Sequence, residues 1–226
     1  EGRHLERLQR SLSELAIPLP CSIAALKIIL RELLRQNRRE HALLYLQITR
    51  GVAARNHHFT PEKLTPNLTI TVSPPRTPPI AVYEKGVSVI TQPDLRWARR
   101  DIKSIALLPN ALAKQAAALA GTREAWLVDE NQMVIEGSAS NCYIIDAEGR
   151  LITHPATEAI LGGITRQVVL ELATASGITI EERPFSLEEA CAASEAFLTS
   201  STAGVLPVVK IDDASIGPGT PGKINK

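Results

Sequence analysis

Two turns rich in glycine and hydroxyl groups are the first places where this sequence could bind an anion. Gly162-Gly163-Ile164-Thr165 stands directly before a predicted helix, and the N–H groups at a helix start suit a phosphate. Thr199-Ser200-Ser201-Thr202-Ala203-Gly204 follows a predicted strand. Each turn taken alone is more typical of a flexible helix start or a hairpin. Together, without a P-loop lysine motif, they favour a small phosphorylated cofactor over a nucleotide.

Lys103, in the segment Asp101-Ile102-Lys103-Ser104-Ile105, is the candidate nucleophile. A lysine among apolar neighbours can lose its proton and then attack a carbonyl carbon. Most lysines are solvated surface residues, so this segment alone is weak evidence for catalysis. Lys114 competes for the role, but its place inside an alanine-rich predicted helix favours a surface charge.

Glu136 ends a predicted strand and is followed by the small polar run Gly137-Ser138-Ala139-Ser140-Asn141. A carboxylate in this setting can hold a protonated ring nitrogen. The same residues are also typical of a strand end followed by a tight turn. On the residues alone, both interpretations stay open.

Arg55-Asn56-His57 lies in a polar loop that we predict over residues 50–66. Arginine offers a planar fork and histidine a second donor, so this cluster can bind a carboxylate. The alternative is a solvated basic loop. The spacing of histidines and cysteines resembles no zinc site. Trp97-Ala98-Arg99-Arg100 is interpreted as an exposed or interfacial charge cluster.

Hydrophobic periodicity predicts two helices and two strands in the first third of the chain. Leucines spaced by three and four predict a helix from His4 to Ala16, and Ser22 is the candidate cap of a second helix. Three arginines suit the negative pole at the end of that second helix: Arg35, Arg38 and Arg39. Alternating residues predict strands over 43–49 and 68–72.

Four prolines within residues 74–79 predict a stiff linker between two domains. We therefore expect a small α/β domain over 1–73, a linker over 74–79 and a larger domain over 80–226. The larger domain has predicted helices at 110–120 and 164–176, the second with Val168, Val169 and Leu172 facing inward. Its predicted strands cover residues 87–91, 125–128, 133–136, 142–146, 151–153, 197–200 and 205–211. This order predicts a mixed α+β fold.

Composition excludes several classes of protein. The 226 residues include 25 Lys+Arg and 24 Asp+Glu, and 44% are hydrophobic, which is typical of a globular protein rather than a disordered one. The near-zero net charge argues against nucleic-acid binding. No apolar run reaches the roughly 18 residues of a membrane span. Three widely spaced cysteines fit a reducing compartment, so we expect a cytoplasmic protein.

Six motifs, in this order and spacing, resemble the class IV (fold-type-IV) pyridoxal-phosphate-dependent aminotransferases, and most of all the D-amino-acid aminotransferases. The motifs are His4-Leu5-Glu6-Arg7-Leu8, Thr49-Arg50-Gly51 with Arg55-Asn56-His57, Asp101-Ile102-Lys103-Ser104, Glu136-Gly137-Ser138-Ala139-Ser140-Asn141, Leu161-Gly162-Gly163-Ile164-Thr165-Arg166 and Leu198-Thr199-Ser200-Ser201-Thr202. The similarity extends from His4 to about Asp212. It implies pyridoxal 5′-phosphate as the cofactor and a homodimer with the active site near the interface.

The resemblance also implies a role for each matching residue. Lys103 is expected to form the Schiff base and to move a proton between Cα and C4′, and Glu136 to pair with the pyridine nitrogen. Leu161 is expected to lie against the ring, with Ser138 and Ser140 supporting the Glu136 side. The residues expected to hold the phosphate are Arg7, Ile164, Thr165, Ser200 and Ser201.

Arg55 and His57 decide the expected substrate. In D-amino-acid aminotransferases this Arg-x-His pair belongs to the trap for the substrate α-carboxylate and reaches across the dimer interface. The resemblance therefore implies transfer of an amino group from a D-amino acid such as D-alanine to 2-oxoglutarate, giving a 2-oxo acid and D-glutamate. The alternatives are a branched-chain L-aminotransferase, an aminodeoxychorismate lyase or a non-catalytic protein of the same fold.

The sequence departs from the family pattern at its ends and at two motif positions. The family has a segment with a strand, a tyrosine and a glycine-rich turn before the position of His4, and a final helix beyond Lys226. We expect both to be encoded by the gene. Ala139 stands where serine is frequent, and Ser201 where threonine is frequent.

Overall fold

The computed structural model describes residues 1–59 and 64–224 and divides into two compact units, Glu1–Arg76 and Thr77–Lys226. The division falls inside the proline-rich segment, where residues 74–79 form neither helix nor strand. Residues 60–63 of the predicted polar loop lie outside the described residues. In the parts of the chain that are described, no helix has the length and apolar character needed to cross a membrane.

The described residues of the first unit, 1–59 and 64–76, form two helices and one two-stranded sheet: α1 (Gly2–Glu14), α2 (Ile23–Gln36), β1 (Leu43–Thr49) and β2 (Asn67–Ser73). The strands are antiparallel, with Leu46 opposite Ile70. Their apolar side chains pack against the leucines of both helices, which include Leu5, Leu26 and Leu30. Burial of these leucines stabilises the unit because apolar surface is removed from water.

Helix boundaries in the first unit follow local chemistry. The Ser22 hydroxyl accepts a hydrogen bond from the Ala25 amide at 3.2 Å, which confirms the predicted cap. Helix α1 ends before the predicted Ala16, because that residue adopts φ +49 and leaves the helical path. Helix α2 ends at Gln36, so the expectation for Arg38 and Arg39 is wrong and only Arg35 lies in its last turn.

The second unit is built on a ten-stranded mixed sheet, which confirms the α+β prediction. Its strands are β3 (Val87–Pro93), β4 (Glu124–Val128), β5 (Met133–Gly137), β6 (Asn141–Ile145), β7 (Leu151–Thr153), β8 (Ile180–Glu182), β9 (Phe185–Ser186), β10 (Glu195–Ser200), β11 (Gly204–Ile211) and β12 (Ala214–Ser215). Their order is β8-β7-β6-β10-β11-β3-β4-β5-β9, with β12 paired to β11. The pairs β11–β3, β3–β4 and β7–β8 are parallel.

Four helices accompany this sheet: α3 (Ile80–Lys85), α4 (Leu108–Leu119), α5 (Ile164–Ala175) and α6 (Leu187–Ala192). Helix α5 packs through Val169 and Leu170 against the stacked rings of Tyr143 and Phe197. The inward orientation predicted for Val168 and Leu172 is wrong, since these side chains are 39% and 61% exposed. The face formed by residues 169, 170 and 173 is the one turned to the sheet.

The sheet brings four chain segments to one place. Strand β6 begins at Asn141, and its partners β7 and β10 run antiparallel to it. The carboxyl ends of β7 and β10 therefore lie beside the start of β6, with Thr199 opposite Asn141. Residues 138–140 link β5 to β6, and Glu136 lies at the same position, because the Asn141 amide donates to its carboxylate at 3.1 Å.

Candidate active site

Glu136 is the centre of a buried polar site at this end of the sheet. Its side chain is only 5% exposed and accepts hydrogen bonds from three donor groups. One comes from the Arg96 guanidinium, one from the Asn141 amide at 3.1 Å and one from the Leu161 backbone N–H, which is 3.1 Å from Oε2. A buried carboxylate needs such partners, because leaving it unpaired costs several kcal/mol or more.

Arg96 links Glu136 to a second buried carboxylate. Its Nη1 contacts Glu136, while its Nε and Nη2 bind the two oxygens of Asp94 at 2.9 and 2.7 Å. The Arg100 Nε lies 3.2 Å from the same Asp94 carboxylate. The guanidinium of Arg96 is therefore held on both sides and fixes the orientation of Glu136.

The electrostatic surroundings set the protonation of Glu136. Burial is the dominant influence and raises the pKa of this carboxyl to about 7, although Arg96 and the Leu161 N–H act in the opposite direction. For Asp94, burial acts to raise the pKa, but Arg96 and Arg100 outweigh it and the pKa falls below its ordinary value. The site thus contains one carboxyl that titrates near neutrality beside one that stays ionised.

Asn141 connects the Glu136 site to the glycine-rich turn. Its Nδ2 also donates to the Leu161 carbonyl at 2.9 Å. A Cβ on Gly163 would lie 2.2 Å from the Asn141 Oδ1, so any larger residue here would force the buried asparagine side chain to move. At Gly162, by contrast, a Cβ would meet nothing within 4 Å. The turn is therefore pressed against the asparagine on one side and open on the other.

The first turn of α5 presents backbone N–H groups next to this turn. Gly163 is the N-cap residue, so no side chain caps the 12-residue helix. Ile164 is buried and Thr165 partly exposed in its first turn. The second predicted anion cup, at Ser200 and Ser201, lies where β10 ends and β11 begins. Ser200 accepts a hydrogen bond from the Ala203 amide at 3.1 Å, so this hydroxyl already shapes its own turn.

Ser138 and Ser140 lie beside a different carboxylate from the one expected. Both hydroxyls donate to Glu124, the first residue of β4, and Ser140 does so at 3.4 Å. Glu124 is buried and also binds the Lys114 ammonium at 3.2 Å. Lys114 is thus an anchor of this cluster rather than a free surface charge. These contacts fix the link between β5 and β6, which follows Glu136 in the chain, through Glu124.

Lys103 lies in an exposed segment between β3 and α4. Ile102 is buried, but Ile105 and Leu107 are 66% and 51% exposed. The argument that Lys103 is embedded among apolar neighbours is therefore wrong for this chain, because these side chains face outward. Lys103 itself is an exposed residue.

The remaining predicted residues belong to the first unit. Arg7 is half-buried on α1, and this burial lowers its pKa. Arg55 and His57 are exposed in the loop after β1, where the Asn56 side chain accepts from the His57 amide at 2.7 Å. The start of the loop is held by Arg50, whose guanidinium stacks 3.7 Å above the Phe59 ring and donates to the Ala16 carbonyl at 2.7 Å.

Sequence reasoning missed three residues of this site. Arg96, Asp94 and Glu124 are ordinary charged residues in the sequence, and only the folded chain brings them to Glu136 and the serines. In the described ranges, 1–59 and 64–224, no cluster of three or more histidine, cysteine or acidic side chains could hold a metal ion.

Comparison with known proteins decides the family. The family described as amino-transferase class IV matches residues 2–211, which is nearly the whole chain. The chain belongs to the class IV aminotransferases. This class IV aminotransferase is 43% identical to the D-alanine aminotransferase of Bacillus licheniformis over 223 residues, covering 99% of the chain and 77% of the relative. It is 39% identical to the D-alanine aminotransferase of Staphylococcus haemolyticus, covering 99% and 78%.

Solved structures agree with this family. The branched-chain amino acid aminotransferase of Escherichia coli superposes with a TM-score of 0.90 at 24% identity and covers 99% of this chain and 75% of its own, which supports the fold. The T.th. branched-chain amino acid aminotransferase, complexed with N-(5′-phosphopyridoxyl)-L-glutamate, gives a TM-score of 0.88 at 26% identity and covers 99% and 74%. Like its relatives, the class IV aminotransferase uses pyridoxal 5′-phosphate.

The groups at the site suit the chemistry of that cofactor. A pyridine nitrogen needs an acidic partner, and Glu136 is a buried carboxyl whose pKa of about 7 lets it hold or share a proton. A phosphate needs backbone donors, and the uncapped first turn of α5 supplies them. These donors lie next to Gly163, where an added Cβ would clash with the Asn141 side chain. These residues of the class IV aminotransferase therefore fit pyridoxal 5′-phosphate.

Proposed function

We propose that this protein transfers the amino group of a D-amino acid, of which D-alanine is the type, to 2-oxoglutarate. The products are a 2-oxo acid (pyruvate from D-alanine) and D-glutamate. The observation that carries the proposal is the Arg55-x-His57 pair on an exposed loop of a chain that is 43% identical to a D-alanine aminotransferase.

Arg55 and His57 bind the substrate α-carboxylate. A guanidinium offers two parallel N–H donors to a carboxylate, and the imidazole adds a third. Fixing the carboxylate on one side determines which enantiomer presents its Cα hydrogen to the catalytic base. The pair therefore accounts for selection of a D-substrate.

Lys103 takes the proton from the substrate Cα and later delivers it, acting as the general base and acid of the reaction. Its position in an exposed segment supports this role. Pyridoxal phosphate, when bound, supplies the carbonyl that accepts the amino group and a ring that withdraws electrons from Cα.

Glu136 holds the ring nitrogen in its protonated form, which strengthens the withdrawal of electrons. Its contacts with Arg96 and Asn141 support this role by keeping both carboxylate oxygens in place. Leu161 lies against the ring in the proposal, with Ser138 and Ser140 at the neighbouring link. The proposed phosphate ligands are Arg7, the N–H of Ile164, the backbone and side chain of Thr165, and Ser200 with Ser201.

We further propose a cytoplasmic homodimer whose active site lies near the interface. The three free cysteines are consistent with a reducing compartment. Sedimentation equilibrium of the cofactor-loaded protein is expected to give twice the chain mass, and a monomer that retains full activity would contradict the shared site.

A steady-state assay tests the proposed substrates. The cofactor-loaded protein is given D-alanine with 2-oxoglutarate, and pyruvate and D-glutamate are measured separately. Both products are expected in equal amounts, and L-leucine is expected to give less than a hundredth of the rate. Products from L-leucine alone would instead support a branched-chain enzyme.

A pair of arginine variants tests the carboxylate trap. Arg55→Gln is expected to raise the KM for D-alanine about tenfold to a hundredfold, because a charge-assisted hydrogen bond is lost. Arg39→Gln, at another exposed arginine of the first unit, is the matched control and is expected to change nothing. Unchanged D-alanine kinetics in Arg55→Gln would remove the argument for this pair.

A further inference from the structure

Helix α5 is the crossover between two neighbouring parallel strands. It leaves from the end of β7 and returns to β8, with Thr153 opposite Glu182 in the pair. Residues 154–163 lead from β7 to the first turn of the helix. They include Leu161 and the glycine-rich turn, so the position of this segment determines the position of both.

Arg166 ties the start of this helix to the ends of both strands. It is the third residue of α5, and only 3% of it is exposed. Its Nη2 donates to the His154 carbonyl, just after β7, at 2.9 Å and to the Glu182 carboxylate, at the end of β8, at 2.7 Å. One guanidinium nitrogen thereby closes the loop of residues 154–163 at its base.

Helix stability does not explain an arginine at this position. The amino end of a helix carries partial positive charge, so a cation in the first turn is unfavourable there. The side chain is also buried, and its Nε has no hydrogen-bond partner among the described residues. A buried cation with an unsatisfied donor lowers stability unless its other contacts compensate.

The far side of the same segment is tied to Glu136. The Leu161 N–H donates to the Glu136 carboxylate, and the Leu161 carbonyl accepts from Asn141 at 2.9 Å. Gly163 then lies directly against the asparagine side chain. The segment is therefore held by Asn141 and Glu136 at one end and by Arg166 at the other.

We infer that Arg166 is a positioning residue that sets the distance between Glu136 and the first-turn N–H groups of α5. This inference rests on the proposed function, in which Glu136 meets the ring nitrogen and the α5 turn meets the phosphate. The phosphate is joined by a short CH2–O arm to a ring carbon two bonds from the pyridine nitrogen, so the distance between the two groups varies only within narrow limits. Only a fixed distance between their two partners lets both contacts form together.

Two ligands that differ only in the phosphate test this role. Pyridoxamine 5′-phosphate and pyridoxamine form no covalent bond to a lysine, and their dissociation constants are measured by fluorescence titration of the cofactor-free protein. In Arg166→Met the constant for pyridoxamine 5′-phosphate is expected to rise about tenfold or more, while that for pyridoxamine changes less than threefold.

Glu181→Gln is the matched control. Glu181 is the neighbour of Glu182 on β8 and pairs with Arg150 at 3.0 Å, so its loss disturbs the same strand without touching Arg166. Both dissociation constants are expected to stay within twofold in this variant. Should Arg166→Met fail to fold, Arg166→Lys is measured in its place with the same expected direction and a threshold of threefold.

Two results would overturn the inference. One is an unchanged dissociation constant for pyridoxamine 5′-phosphate in Arg166→Met. The other is an equal rise of the dissociation constants for both ligands together with a lower melting temperature, which would indicate a structural role alone. A protein that fails to turn over D-alanine but shows the expected selective loss in Arg166→Met would contradict the proposed substrate and leave this inference intact.

Discussion

Glu136 makes the stability of the cofactor-free chain depend on pH in a direction that can be worked out. Its pKa in the folded chain is about 7, mainly because of burial, against an ordinary value of 4.5. Between these two pH values the folded chain keeps a proton at this carboxyl that the unfolded chain has lost. The free energy of unfolding must therefore fall as pH rises through this window.

The size of the effect follows from the same two values. The difference between 4.5 and about 7, at about 1.4 kcal/mol for each pH unit, corresponds to about 3 kcal/mol. Replacing Glu136 by glutamine removes the titrating group, so this part of the pH dependence disappears. Asp94, which shares Arg96 with Glu136, has a pKa below its ordinary value and stays ionised over this range, while carboxyl groups remote from the site contribute equally to both proteins.

Urea unfolding of the cofactor-free wild type and Glu136→Gln, at pH 4.5, 6 and 7.5 and constant ionic strength, measures the difference. The stability of the wild type relative to the variant is expected to fall by about 3 kcal/mol across this range. Glu148→Gln, at an exposed glutamate, is the control and should follow the wild type. A difference between wild type and Glu136→Gln that stays constant with pH would refute the reasoning.

Three further predictions concern the same unit. Arg96→Met leaves two buried carboxylates without their shared partner and is expected to lower the free energy of unfolding by about 3–5 kcal/mol. Arg150→Met breaks partly exposed ion pairs with Asp146, Glu148 and Glu181 and is expected to cost about 2 kcal/mol or less in the same urea titration. Equal losses would contradict the role of burial. Gly163→Ala places a Cβ 2.2 Å from the Asn141 side-chain oxygen and is expected to lower the free energy of unfolding by about 1–3 kcal/mol. Gly162→Ala has open space around its Cβ and should be nearly neutral. Thermal melts of both variants check this, and a Gly163→Ala variant as stable as the wild type would show that the turn is not pressed against Asn141. Lys103→Ala is expected to abolish amino transfer, measured as pyruvate formed from D-alanine. The free energy of unfolding is expected to change by about 0.5 kcal/mol or less because the residue is exposed. Substantial residual turnover would disprove the proposed role of Lys103.

The long regular elements were predictable because their signals are local. The alternation of Leu68, Ile70 and Val72 with threonines predicts β2, and the strand is observed over Asn67–Ser73. Ser22 marks the start of α2 through a contact three residues away. Strand β1 begins and ends where the pattern predicts. Such features depend on neighbours in the sequence, which periodicity captures.

Short elements and helix faces were not predictable in the same way. Helix α3, helix α6 and the strands β8, β9 and β12 have at most six residues, too few for a period to stand out. The faces of α5 were misassigned because Val168 and Leu172 are apolar but exposed. Burial of those positions depends on where the sheet lies, which the helix sequence does not contain.

The residues of the candidate site also divide into those that local sequence predicts and those that it does not. Glu136, Asn141 and the glycine-rich turn lie in recognisable motifs, and the structure brings them together around Leu161. Arg96, Glu124 and Arg166 contact partners 12 to 40 residues away in the sequence. No local pattern identifies such partners, since only the folded sheet places them together.

The most direct test of the account is a single-turnover reaction of the cofactor-loaded full-length protein with D-alanine and, separately, with L-leucine. The absorption of the bound cofactor is followed, and released pyruvate is quantified from the D-alanine sample. The account predicts a change in absorption and about one pyruvate per active site with D-alanine, and no change with L-leucine. A response to L-leucine alone, or to neither compound, would contradict the proposed D-amino-acid transaminase.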